Sequence, residues 1–174
     1  MFKKLGIASM VLAVGIGTLH AARNSIAYVG LGPGFQNTGG YNGLVGNVFA
    51  GYGEVLGKNK DFYLGGEIFA NVGSIPVSNN QANRSLYGVG LSLIPGFIVY
   101  PGLVGYGRIG AAASRYHASN GLQGDAQVGL GVLVHLVRNW DVRTEYVRTL
   151  GPGFLDNFSK ALTNQFNVGF VYRF

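Results

Sequence analysis

The chain has 174 residues; only 11% are charged, 30 are glycine, 11 phenylalanine, 10 tyrosine and none cysteine. The absence of cysteine excludes a disulfide framework. The basic residues are scattered singly, which excludes the clustered stripe that a nucleic-acid binder needs. The length suits one domain.

The N-terminus begins Met1-Phe2-Lys3-Lys4, runs apolar from Leu5 to Gly17 and continues Thr18-Leu19-His20-Ala21. A charged start, a short apolar core and a small residue before the cut are the parts of a secretory signal peptide. The run falls short of the ~20 residues of a spanning helix, and no later apolar segment reaches that length. Residues 1–21 are expected to be the signal peptide and 22–174 the working domain. Losing Lys3 and Lys4 takes the formal charge from +6 to +4.

Eight strands of roughly ten residues or more follow, the length of a tilted membrane strand. Strand side chains alternate between faces. In the first strand, about Ser25–Phe35, Ala27, Val29, Leu31 and Phe35 oppose Tyr28, Gly30, Gly32 and Gly34; Asn37-Thr38-Gly39-Gly40 turns it. The second, about Leu44–Val55, sets Val48, Ala50 and Tyr52 against Asn47, Phe49, Gly51 and Gly53, and Gly57-Lys58-Asn59-Lys60 turns back. The third, about Asp61–Gly73, faces Leu64, Ile68, Ala70 and Val72 outward and Tyr63, Glu67, Phe69 and Asn71 inward. A polar loop, 74–84, leads to the fourth, about Ser85–Phe97, with Val89, Leu91 and Leu93 outward. Pro101-Gly102 turns into the fifth, about Leu103–Tyr116, which carries Arg108 inward. A loop at 117–124 precedes the sixth, about Asp125–Leu136, with Ala126, Val128, Leu130, Val132 and Val134 opposite Gln127, Gly129, Gly131, Leu133 and His135. Val137-Arg138-Asn139 turns into the seventh, about Trp140–Thr149, with Asp141, Arg143 and Glu145 inward. The last loop, 150–161, leads to a strand ending Asn167-Val168-Gly169-Phe170-Val171-Tyr172-Arg173-Phe174.

Three longer loops after the third, fifth and seventh strands alternate with tight turns. The loop after the first strand is short and breaks the pattern slightly. Long loops on one side, tight turns on the other and both termini on the turn side describe an outer-membrane barrel. An even strand number closes the sheet antiparallel, so that no edge meets lipid. A soluble eight-stranded up-and-down barrel of the lipocalin kind would put large apolar residues inside. Here glycines, Glu67, Arg108, Arg143 and Glu145 share the face opposite Leu, Val and the aromatics, which favours the membrane barrel. Tyr52, Tyr100, Trp140 and Tyr172 at strand ends fit aromatic belts.

The last strand, with Asn167, Gly169, Tyr172 and Phe174 at set positions, resembles the C-terminal signal by which bacterial outer-membrane barrels are inserted. Arg143-Thr144-Glu145-Tyr146, the stretch Leu103–Arg108 with Tyr106-Gly107-Arg108, and Val171-Tyr172-Arg173-Phe174 extend the likeness. From about Ala27 to Phe174 the chain resembles the OmpA-type eight-stranded transmembrane domain of the OmpA/OmpX-like small outer-membrane proteins, without the periplasmic peptidoglycan-binding domain. The resemblance implies an all-β, eight-stranded antiparallel barrel in the bacterial outer membrane. Its expected partners are outer-membrane lipid and lipopolysaccharide, the barrel assembly machinery, and an extracellular ligand or host surface at the loops. No cofactor, metal or nucleic acid is expected.

That family carries a lumenal charge network, and Glu67, Arg108, Arg143 and Glu145 match four of its members. Ile94 stands where the family has a lysine and Leu133 where it has a glutamate, so two charges of each sign remain. An eight-stranded barrel is just wide enough for its side chains to fill, and interior charges must pair, since breaking a buried pair costs ~3–5 kcal/mol. Glu67 is expected to pair with Arg143, and Arg108 with Glu145 or with both acids. The role expected of the protein is structural or surface-interacting, of the adhesion type. The alternative is a narrow, low-conductance pore gated by the lumenal charges.

One further chemistry is written in the residues. His117-Ala118-Ser119-Asn120 resembles the His-x-Ser-Asn order of lipid A deacylases of the PagL type, with His117 and Ser119 sharing a strand face as a base and nucleophile must. That family's motif lies nearer the C-terminus, and its following glutamate has no counterpart here; Asp125 is the one acid near in sequence. A Ser-Asn-Gly run is equally a turn. His135 is expected as a lumen-filling side chain without other metal ligands near it. Gly30-Leu31-Gly32-Pro33-Gly34 lacks the helix that a phosphate loop needs.

Overall fold

The computed structural model describes residues 25–38, 40–59, 61–75, 84–116, 123–150 and 161–174. The expected signal peptide, His117 and Ser119 lie outside the described residues. Eight strands follow one another: β1 (Ser25–Thr38), β2 (Tyr41–Leu56), β3 (Phe62–Ile75), β4 (Arg84–Tyr100), β5 (Leu103–Tyr116), β6 (Gln123–Val137), β7 (Trp140–Leu150) and β8 (Ala161–Arg173). Each pairs antiparallel with the next, and β1 pairs with β8, so the sheet is a closed barrel in sequence order. Closure answers the edge backbone groups within the sheet, as a bilayer requires.

Several strands outrun their expected ends, because pairing continues past the apolar belt through polar residues. Asn37 and Asn42 are register partners and join their side chains at 2.8 Å. The first turn therefore tightens around Gly40, whose φ of +89° suits glycine. Likewise β4 continues to Tyr100, across a bulge where Tyr100 still faces Leu103. The loop expected at 74–84 shrinks because Ser74 and Ile75 pair with Ser85 and Arg84. At the opposite end the turns are short, with Gly57 and Gly102 at positive φ and Arg138 at 45°.

The faces are inverted relative to a soluble barrel. Leu31, Leu91, Leu93, Leu130 and Phe170 are exposed on the outside, whereas Gln36, Glu67, Arg108, Asp141, Arg143, Glu145 and Gln165 are buried inside. Water would penalise such an exterior, and hydrocarbon accepts it. Inside, room for large rings comes from glycines on the neighbouring strand. A Cβ at Gly131 would lie 2.4 Å from the Tyr106 ring, one at Gly90 2.4 Å from Phe69, and one at Gly30 2.2 Å from Phe49. Large beside small fills the lumen of so narrow a barrel.

Candidate functional site

The four inward charges meet at mid-lumen. Glu67 reaches in from β3, Arg108 from β5, and Arg143 and Glu145 from one face of β7. In a closed eight-stranded sheet β3 and β7 lie across the barrel from each other, and an arginine is long enough to span the gap. Arg143 donates from Nη1 to Glu67 Oε2 at 2.5 Å and from Nη2 to Glu145 Oε2 at 2.8 Å. Arg108 donates from Nη1 to both oxygens of Glu145 at 3.0 Å and lies 3.2 Å from Glu67 Oε1. Each acid thus touches both bases, and the charges close into an alternating ring. All four residues are 4–5% exposed.

A second tier holds the ring in place. Arg143 Nε donates to Tyr106 Oη at 2.6 Å, and Arg108 Nε to Ser92 Oγ at 3.0 Å. Tyr28 donates to Glu67 Oε2 at 3.3 Å. The guanidinium of Arg108 lies 4.4 Å from the Phe69 ring centroid, and that of Arg143 4.3 Å from Phe49. Such contacts strengthen when water is excluded. Sequence reasoning had Tyr28, Phe49 and Phe69 inward without a role and did not place Ser92 or Tyr106; only the pairing register brings Tyr28, Ser92 and Tyr106 to the charges.

Toward the long loops amides and hydroxyls replace the charges, Asp125 being the one carboxylate among the described inward side chains there. Asn47 donates to Asn167 at 2.8 Å, Gln165 to Asn47 at 2.9 Å and to Asn167 at 2.7 Å, while Thr38 and Thr163 join hydroxyls at 2.8 Å. Two cavities of about 20 Å³ lie in the lumen, one against the ring and one farther out between Asn71, Ser114, Gln127, Thr149 and Thr163. Each has room for about one water molecule.

At the opposite mouth His135 does less filling than expected. It is a rim residue, its side chain 37% exposed, with Nδ1 2.8 Å from the buried Asp141 Oδ1. Arg173 Nε lies 3.0 Å from Asp141 Oδ2, and its guanidinium also contacts His135 Nδ1. Among the described residues no three His, Cys, Asp or Glu side chains gather as a metal site.

The residues of the expected assembly signal divide between the faces. Asn167 joins the lumenal amide cluster, and Gly169 is buried on the inward face, where a Cβ would sit 2.9 Å from the Leu31 carbonyl oxygen. Tyr172 stacks edge-to-face between Trp140 and Phe174, with centroids 5.1 and 5.2 Å apart. Tyr52, Tyr100 and Trp140 are exposed at the same rim.

No protein-family model matches the chain, and a search of curated proteins finds no match. Solved structures do match. Ail, the attachment invasion locus protein of Yersinia pestis, is 13% identical with a TM-score of 0.57, over 87% of this chain and 98% of its own. Neisserial surface protein A is 15% identical with a TM-score of 0.52, over 86% and 97%. The outer-membrane enzyme PagL is 9% identical with a TM-score of 0.53, over 85% and 98%. The chain therefore has the fold of the small eight-stranded outer-membrane barrels, and its exterior is that of a barrel that crosses a membrane.

Proposed function

We propose that this protein works in the bacterial outer membrane as a plugged barrel, whose activity resides in the surface its long loops present. The observation that carries the reading is the closed charge ring. Its members are all buried, each acid is answered twice, and aromatic rings pack against both guanidiniums. A lumen filled in this way leaves the outer face as the place for partners, as loops on a rigid scaffold commonly are.

The partner sought is one that binds a weakly charged surface. Residues 76–83 and 117–122 hold no Lys or Arg, and 151–160 set Asp156 against Lys160. Ail has been solved in complex with the heparin analogue sucrose octasulfate; the loops here lack a basic cluster for such a polyanion. A contact with lipopolysaccharide sugars or a host surface through Asn, Gln and Ser fits them better.

Single-channel recording of the refolded protein in a planar bilayer tests the plug. A silent membrane, from protein whose folding is shown by its heat-dependent gel migration, supports it. Discrete steps that change in Glu67→Ala would overturn it in favour of a narrow pore gated by the ring. The two small cavities, one against the ring and one farther out, give that second reading its footing. A hydrolase at His117 and Ser119 has behind it the motif order and the fold shared with PagL.

A further inference from the structure

Among the described inward side chains of the outer half of the lumen stands one carboxylate, Asp125, that no cation meets. Asp125, inward on β6, is 4% exposed, yet neither of its carboxylate oxygens has a well-formed hydrogen bond. Ser114 on β5 is a polar side chain that acts on it. The two strands pair so that Asp125 faces Ala112 and Ser114 faces Gln123, which makes Asp125 and Ser114 diagonal neighbours. Gln127, the next inward residue of β6, commits its Nε2 to Thr149 at 3.3 Å. No Lys or Arg among the described inward side chains lies on this side of the ring.

An isolated buried carboxylate costs several kcal/mol unless it is neutralised or paired. We propose that Asp125 is the charged ligand of a site for one small, hard metal cation at the outer end of the lumen. The Ser114 hydroxyl and the Gln127 carboxamide oxygen would be its neutral ligands. Donors that are all oxygen select alkali and alkaline-earth ions over softer metals. A cavity of about 20 Å³, lined by Ser114 and Gln127 though not by Asp125, leaves water-sized room beside the two neutral ligands. Bound there, the ion would tie β5 to β6 at the base of the 117–122 loop.

The test is thermal unfolding of the refolded barrel in a neutral detergent at constant ionic strength. Choline chloride is replaced in separate arms by NaCl, MgCl2 or CaCl2. In one metal arm the native chain is expected to gain about 2–4 °C, with saturation, at several times the dissociation constant. Asp125→Asn is expected to unfold higher than the native chain in choline and to lose the metal response. Ser114→Ala, which keeps the carboxylate, should need several-fold more metal for the same gain. No gain in any arm, or an equal gain in Asp125→Asn, would overturn the site and leave Asp125 as a protonated carboxylic acid. Calorimetric titration of the native chain with the responding salt provides a check independent of the variants: one ion per chain supports the site, and no heat overturns it.

Discussion

The middle and the outer half of the lumen are both polar and both buried, yet they are satisfied in different ways. The middle concentrates four full charges, and every one is met by two opposite charges, with a hydroxyl added at Glu67, Arg108 and Arg143. The outer half spreads amides and hydroxyls, and leaves Gln36 and Asp125 without well-formed hydrogen bonds. The difference follows from energetics. An unpaired charge in a low dielectric is too costly to keep, so a charged layer must close on itself. A neutral amide left short costs only about 1–3 kcal/mol and can stay beside a water-sized cavity.

The largest expected effect therefore comes from opening the ring. Glu67→Ala removes the partner of both Arg143 and Arg108 and is expected to lower stability by ~3–5 kcal/mol. The measurement is the urea midpoint in lipid vesicles, followed by the fluorescence of Trp140, the single tryptophan. Adding Arg143→Met should return part of the loss, because the stranded charge goes with it. A double variant as unstable as the sum of the two singles would show that the ring is not coupled.

A smaller loss is expected from a residue that carries no charge. Gly131→Ala puts a methyl 2.4 Å from the Tyr106 ring and 2.7 Å from the Thr144 carbonyl oxygen. Tyr106 must then move and release Arg143 Nε. Overpacking of this kind costs about 1–3 kcal/mol. Gly66→Ala, where a Cβ meets nothing within 4 Å, is the control and should leave the midpoint nearly unchanged.

Among the amides of the outer half the same kind of truncation should cost less. Asn47→Ala removes the bonds to Asn167 and Gln165, but those two still hold each other at 2.7 Å. A loss of about 1 kcal/mol is expected in the same urea series. A loss as large as that of Glu67→Ala would erase the contrast between the halves.

The alternation of side chains made the ring's membership legible in advance, because Glu67, Arg108, Arg143 and Glu145 stood on faces of glycine and aromatics. Its closure was not legible. That Arg108 reaches both acids depends on how far apart β3, β5 and β7 sit around the barrel, which no local pattern encodes. The supporting hydroxyls were hidden for the same reason: Tyr28 and Glu67 are 39 residues apart, Tyr106 and Arg143 37. Strand ends were misjudged at Asn37, Asn42 and Ile75, since polar residues and loop neighbours read as turns while the ladder simply continues. The His135–Asp141 pair spans a two-residue turn and was within reach of hairpin register. Its third member, Arg173, was not.

That third member gives the smallest expected effect. Asp141 is fully buried, and two basic side chains share it at the mouth, His135 from β6 and Arg173 from β8. Arg173→Ala removes one of them and leaves His135 in place. The end of β8 stays tied to the turn by backbone: Arg173 N donates to the Asn139 carbonyl at 2.8 Å, and Asn139 Nδ2 donates to the Arg173 carbonyl at 2.7 Å. With the guanidinium part-exposed and the anchor independent of it, the loss should stay within about 1 kcal/mol and shrink further in high salt. Asn139→Ala should then cost at least as much as Arg173→Ala, although it removes no charge. The reverse order, with a strong salt dependence, would mean that the mouth is held by its ions, as the ring is, rather than by its turn.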